Sequence, residues 1–176
     1  VSISNEQANA KSLSDSKFVF ENCQFVNNSG KQGGSLYANY AKQLTLESCA
    51  FYNSVATENG GTIYSSVNTQ ITNCNISQSS ATKGSAIFIK LDNNVTITNI
   101  TMDLQKKAGQ TALFITGGSN FNHLRFEGSG CFISSGRDTN DNTPDFIESD
   151  SPGSIVFAGY MCFSESQDHS IKLPKG

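Results

Sequence analysis

At 176 residues and 18.9 kDa the chain is long enough for one domain with a substantial core, and no shift in composition marks a linker between two. A net charge of -3, a pI near 5.3 and the lack of any Lys or Arg block argue against a phosphate-binding surface, so nucleic acid is not an expected partner. Abundant Ser, Thr and Asn, 15% charged residues, three Pro and no Trp suit short stacked strands better than amphipathic helices, and nothing approaches the roughly 18 apolar residues of a membrane helix, so this segment is not expected to insert into a membrane.

The chain opens at Val1 in strand-like alternation, "VSIS", without the basic start or apolar stretch of a signal peptide, and it reads as a processed product or an excised piece. Residues 1–17 are expected to form a partial first coil, with open strand edges that invite another chain or the rest of the same one. From residue 18 a repeat takes over, aligned on an apolar, x, x, apolar, x, apolar triplet. Its copies are Phe20, Cys23 and Phe25; Leu46, Cys49 and Phe51; Ile71, Cys74 and Ile76; Ile97, Ile100 and Met102; Phe121, Leu124 and Phe126; and Phe157, Tyr160 and Cys162. The intervals are 26, 25, 26, 24 and 36 residues, the last containing an insertion.

Alternation on both sides of a two-residue break predicts two short strands meeting at a corner. The corner residues are Asn22, Ser48, Asn73, Asn99 and His123, and Asn tolerates the left-handed backbone of a tight bend. A third strand follows each Gly, in "GGSLY", "GGTIY", "GSAIFI", "GQTALFI" and "GCFI". Three strands per turn of roughly 25 residues, each pairing with its own copy one turn later, predict an all-β fold: a right-handed parallel β-helix of about six coils in one domain spanning residues 1–176. Residues 134–153 are expected to be an inserted loop and 165–176 a C-terminal tail. Inward columns are Phe18, Leu44, Val95 and Ile155 beside the triplet's first column, and Leu36, Ile63, Ile87 and Leu113 from the third sheet.

"FVNNSGKQGGSL" and "FYNSVATENGGTI" resemble the Phe-x-x-Asn and Gly-Gly-Ala-aliphatic repeats of the chlamydial polymorphic membrane proteins and of large protist cell-surface proteins, over about residues 18–115. Ser54 and Ser79 stand where that pattern has Asn, and Ser35 and Thr62 where it has Ala. The resemblance implies a surface or secreted β-helix of pectate-lyase-like fold.

Five Cys cannot all pair within one chain. Cys23, Cys49 and Cys74 fall in one inward file, where they serve as small hydrophobes; a linear file of thiols cannot surround a metal ion. Cys131 and Cys162, in adjacent late coils, are the disulfide candidates. Asp138, Asp141, Asp145, Glu148 and Asp150 cluster in the insertion without the central Gly and terminal Glu of an EF-hand, and read as a solvated acidic loop. His123 and His169 have no visible nucleophile or acid beside them.

On the outward side of the third sheet, Tyr37, Tyr64, Phe88 and Phe114 are expected to form one surface stripe, with Phe132 as a further member, fit to stack on sugar rings or to meet a protein surface. The rival arrangement is a self-packed ladder under the chain's own loops. Sequons at Asn27, Asn75 and Asn94 are candidate glycosylation sites, whereas Asn99, in the corner ladder, should be inaccessible. The outward positions of the third sheet offer neither the facing carboxyl pair of a glycosidase nor the acid cluster and base of a lyase. The expectation is therefore an extracellular or cell-surface structural or adhesive module, not an enzyme and without cofactor, metal or catalytic residue. Its partners would be other protein surfaces, copies of itself stacked end to end, or glycans. A carbohydrate-active enzyme or a carbohydrate-binding module is the alternative.

Overall fold

The computed structural model describes residues 1–3, 15–90, 94–105, 110–117, 121–135, 146–151, 153–164 and 171–174. Most of the expected partial first coil, most of the inserted loop and most of the tail, with His169, lie outside the described residues.

Strand β1 (Ser2–Ile3) precedes a coil made of β2 (Lys17–Glu21), β3 (Gln24–Val26), β4 (Ser29–Gln32) and β5 (Leu36–Ala38). The second coil is β6 (Gln43–Glu47), β7 (Ala50–Tyr52), β8 (Val55–Asn59) and β9 (Ile63–Ser65). The third is β10 (Asn68–Thr72), β11 (Asn75–Ser77) and β12 (Ile87–Lys90), and the fourth β13 (Val95–Thr98), β14 (Thr101–Gln105) and β15 (Leu113–Thr116). In the fifth, β16 (Phe121–Ser135) runs unbroken through the corner and β17 (Ile147–Ser149) follows; β18 (Gly153–Ser164) and β19 (Ile171–Lys172) lie above.

Each strand pairs in parallel with its counterpart one coil on, as a chain that rises by one strand spacing per turn requires. Before the corner the stack is β2-β6-β10-β13-β16-β18, after it β3-β7-β11-β14-β16-β18, and the third sheet is β1-β5-β9-β12-β15-β17-β19, with β4 and β8 as a short fourth arm. Six stacked copies before the corner bound five complete turns, so the expected six coils become five turns with part coils beyond them. The fold is a parallel β-helix.

The core is the inside of this prism. Leu44, Leu46, Phe51, Leu36 and Ile63 are 0–1% exposed, and each fully buried side chain of this size contributes about 1.5–3 kcal/mol. Thr69 interrupts the column of Phe18, Leu44 and Val95, and its hydroxyl is absorbed by Ser65 Oγ at 2.6 Å and the Val67 carbonyl at 2.8 Å. At the corner Asn22, Ser48, Asn73 and Asn99 hold φ between 51° and 54°, as the sequence predicts. Asn27, Asn53 and Gln78, each five residues later, hold the same φ range and form a second corner that the sequence reading does not identify. Amides bond along both corners: Asn99 Nδ2 donates to Asn73 Oδ1 at 2.9 Å, and Asn53 Nδ2 to Asn27 Oδ1 at 2.8 Å.

The expected register holds through Phe20, Leu46, Ile71 and Ile97 and then departs. Ile97 faces Phe126, not Phe121, because Val95 pairs with Leu124, a step of 29 residues instead of 26. Phe121, Leu124 and Phe126 match the triplet's spacing by coincidence of alternation within one long strand. The corner also gains a residue: Gly128, Ser129 and Gly130 lie between Glu127 and Cys131, where Asn99 and Ile100 lie between Thr98 and Thr101. His123 therefore sits within β16 and not at the corner. "GCFI" belongs to the strand after the corner, which puts Phe132 inside at 1% exposure. In the last coil Phe157 aligns as expected, but the inward residue after the corner is Phe163, paired with Phe132, so Tyr160 stands out at 71% exposure. Residues assigned to the inserted loop supply the true third strand, with Phe146 and Ile147 fully buried.

Candidate functional site

The outward side of the third sheet carries the feature singled out from sequence. Because Leu36, Ile63, Ile87 and Leu113 point inward on these strands, their neighbours Tyr37, Tyr64, Phe88 and Phe114 point away from the prism, in register. Successive ring centroids are 5.0, 5.2 and 5.6 Å apart and stack nearly parallel. The rings do not form the expected exposed stripe. Tyr64, Phe88 and Phe114 are only 5–9% exposed and Tyr37 is half-buried, because each ring covers the face of the next and the Lys83 ammonium sits 4.5 Å over Phe114. The self-packed ladder, the rival arrangement, is the observed one. Its next position is taken by Glu148 in place of Phe132, and Glu148 pairs with Lys172 of the following strand at 3.0 Å.

Burial, then the neighbouring Tyr37 and Tyr40, push the Tyr64 phenol above its ordinary value. Beside the ladder Tyr64, Ser66, Asn39, Tyr40 and Lys90 line an open groove of about 300 Å³. Tyr40, at φ 64°, is 55% exposed and is the ring on this side that a partner could reach.

Four of the described acids, Glu148 among them, are tied to neighbours. Glu58 pairs with Lys31 at 3.3 Å, Glu127 with Arg125 at 2.5 Å, and Asp150 Oδ2 accepts from Thr116 Oγ1 at 2.9 Å. Asp138, Asp141 and Asp145 lie outside the described residues. Among the described residues no three His, Cys, Asp or Glu side chains gather as a metal-binding group.

Cys49 and Cys74 are buried one above the other as expected, and their thiols donate to main-chain carbonyls, Cys49 to Phe20 and Glu47 and Cys74 to Leu46 and Thr72. Burial raises the Cys49 thiol and pushes the Cys74 thiol up to about 11. Cys131 and Cys162 instead occupy the outward side of the strands after the corner, as direct register partners. Of the sequons, Asn75 and Asn94 are exposed, Asn27 accepts the Asn53 amide, and Asn99 is exposed but has its amide bound to Asn73 and to the Ser129 N–H. Asn99 is thus engaged through hydrogen bonds and not by burial.

Two features escaped the sequence reading. The second corner was visible only as a constant offset of five from the first. A buried hydroxyl file, Ser35 with Ser54 and Thr62 with Ser79, was visible only as departures from a repeat pattern.

The first and last described coils are less sealed than the coils between them. Phe18, Phe20 and Phe25 are half-buried where Leu44, Leu46 and Phe51 above them are sealed, and Phe157 and Phe163 are 40% and 38% exposed where Phe126 and Phe132 are 1%.

The model of one family, described as a right handed beta helix region, matches residues 9–148. No curated protein and no solved structure matches the chain. Since that match spans well over half of the sequence and takes in the coils from β2 through β16, the chain belongs to the right-handed β-helix family.

Proposed function

We propose that this chain is an extracellular or cell-surface structural and adhesive module that makes its contacts by adding coil to coil, and that it is not an enzyme. The observation that carries the reading is the apolar surface of the first and last described coils. Phe20 and Phe25 on the first and Phe157 and Phe163 on the last repeat the columns that the coils between them seal. Among the described residues, the outer strand of each stack also has a parallel partner on one side only. An end coil of a second copy supplies both missing elements, a strand in register and an apolar lid.

Light scattering and electron microscopy of the full chain over a concentration series test this. Rods that lengthen with concentration, and that Phe20→Lys and Phe157→Lys each suppress, are expected. A monomer at every concentration, or release of sugar products from acidic polysaccharides, would overturn it. Biotinylation of intact producing cells checks the surface location.

A further inference from the structure

Along the outward side of the strands after the corner, register places Gln24, Ala50, Asn75, Thr101, Cys131 and Cys162 in one file. The last two are consecutive thiols on adjacent strands. In-register partners on parallel strands have Cα atoms about 4.8 Å apart, inside the span a disulfide bridges. The neighbouring Cys162 thiol and partial burial hold the Cys131 thiol above its ordinary value. Both cysteines are also accessible, because with Asn99, Ser129 and Tyr160 they line an open groove of about 370 Å³. Cys49 and Cys74, also stacked one coil apart, are instead sealed in the core with their thiols on carbonyls.

We propose that Cys131 and Cys162 form a reversible disulfide clasp between the last two coils, closed by exchange with a small-molecule disulfide. One cysteine thiolate attacks a sulfur of the reagent, giving a mixed disulfide and releasing one thiolate leaving group. The second cysteine thiolate attacks the protein sulfur of that bond and releases the other. Two protein thiols are oxidised, one disulfide is reduced to two thiols, and the protons go to the released thiolates. The clasp ties β18 to β16, the last long pairing of the rod, so that the coil bearing Phe157 and Phe163 cannot peel away. It stands on register and access alone, independently of end-to-end association.

The full chain is equilibrated in glutathione buffers of graded oxidised fraction, quenched with iodoacetamide and mapped by mass spectrometry. The expected product is about 2 Da lighter before alkylation, carries a single bridge from Cys131 to Cys162, and melts roughly 5–10 °C higher than the reduced chain. Cys131→Ser and Cys162→Ser each abolish both changes. Alkylation of all five cysteines across the series, glutathione retained on one sulfur without closure, a bridge elsewhere, or a bridge without added thermal stability would overturn the clasp.

Discussion

The hydroxyl oxygens of Ser35 and Ser54 lie 2.7 Å apart, and both residues are fully buried between two coils. Asn28 Nδ2 also donates to Ser35 Oγ, at 3.3 Å, and one coil on Thr62 and Ser79 repeat the pair. Replacing the Asn and Ala of the resembling repeats by two hydroxyls keeps a buried polar group satisfied by another. Ser54→Ala removes that partner and is expected to cost about 1–2 kcal/mol in urea denaturation. Adding Ser35→Ala should then cost less than it does alone, because the orphaned group goes too; strictly additive losses would refute the pairing.

A Cβ on Gly61 would lie 2.0 Å from the Ser85 carbonyl oxygen and 2.7 Å from that of Ser80, both main-chain atoms of the next coil that cannot swing aside. Gly61→Ala should therefore lose about 3 kcal/mol or more. Gly30→Ala, whose new Cβ would meet nothing nearer than 3.3 Å, should stay within about 1 kcal/mol. Equal losses in the two variants would show that coil spacing does not depend on the second glycine of the Gly-Gly pair.

The coils were legible where the period was constant. Phe20, Leu46, Ile71 and Ile97 repeat at 26, 25 and 26 residues, and a parallel solenoid follows from that alone. Reading failed at Phe121, because within a strand as long as β16 alternation satisfies the triplet in more than one frame and only pairing with Val95 chooses among them. It failed for the aromatic file for a different reason. Direction away from the core was read correctly from period two, but exposure depends on what covers the ring, and stacking between Tyr64, Phe88 and Phe114 is a relation across coils.

Interrupting that ladder is expected to act on stability. Phe88→Ala removes a ring stacked on Tyr64 at 5.2 Å and on Phe114 at 5.6 Å and should cost about 3–4 kcal/mol, with loss of near-ultraviolet circular dichroism. Tyr40→Ser, at a ring 55% exposed, should change stability by about 0.5 kcal/mol or less. A Phe88→Ala protein as stable as the parent would return the ladder to the status of a free contact surface.

Alkaline pH probes the thiol file. The Cys74 thiol rises from 9.0 in the unfolded chain to about 11 in the fold, so between those values the folded state holds a proton that the unfolded state has lost. Stability is fully present below pH 9 and falls as pH climbs through about 11, by on the order of 2 kcal/mol, and Cys49 and Tyr64 act in the same direction. Urea midpoints from pH 8 to 11 should show this decline, and Cys74→Ala should flatten it. An unchanged slope in that variant would mean that burial of Cys74 is not its source.

Glycan attachment discriminates among the sequons by what each amide is already doing. Asn75 points outward from β11, exposed and with its side chain unbonded, whereas the Asn99 amide donates to Asn73 and its oxygen accepts from the Ser129 N–H at 2.8 Å. Asn27 is similarly tied to Asn53. Passed through a eukaryotic secretory pathway, the chain should carry a glycan at Asn75, and at Asn94, whose side chain is likewise exposed, with Asn99 unmodified. Glycopeptide mapping reads this directly. Because the transferase must reach the Asn99 Nδ2 that donates to Asn73, occupancy there would mean that the corner ladder is not closed when the chain meets the transferase, and the coils would have to assemble after modification.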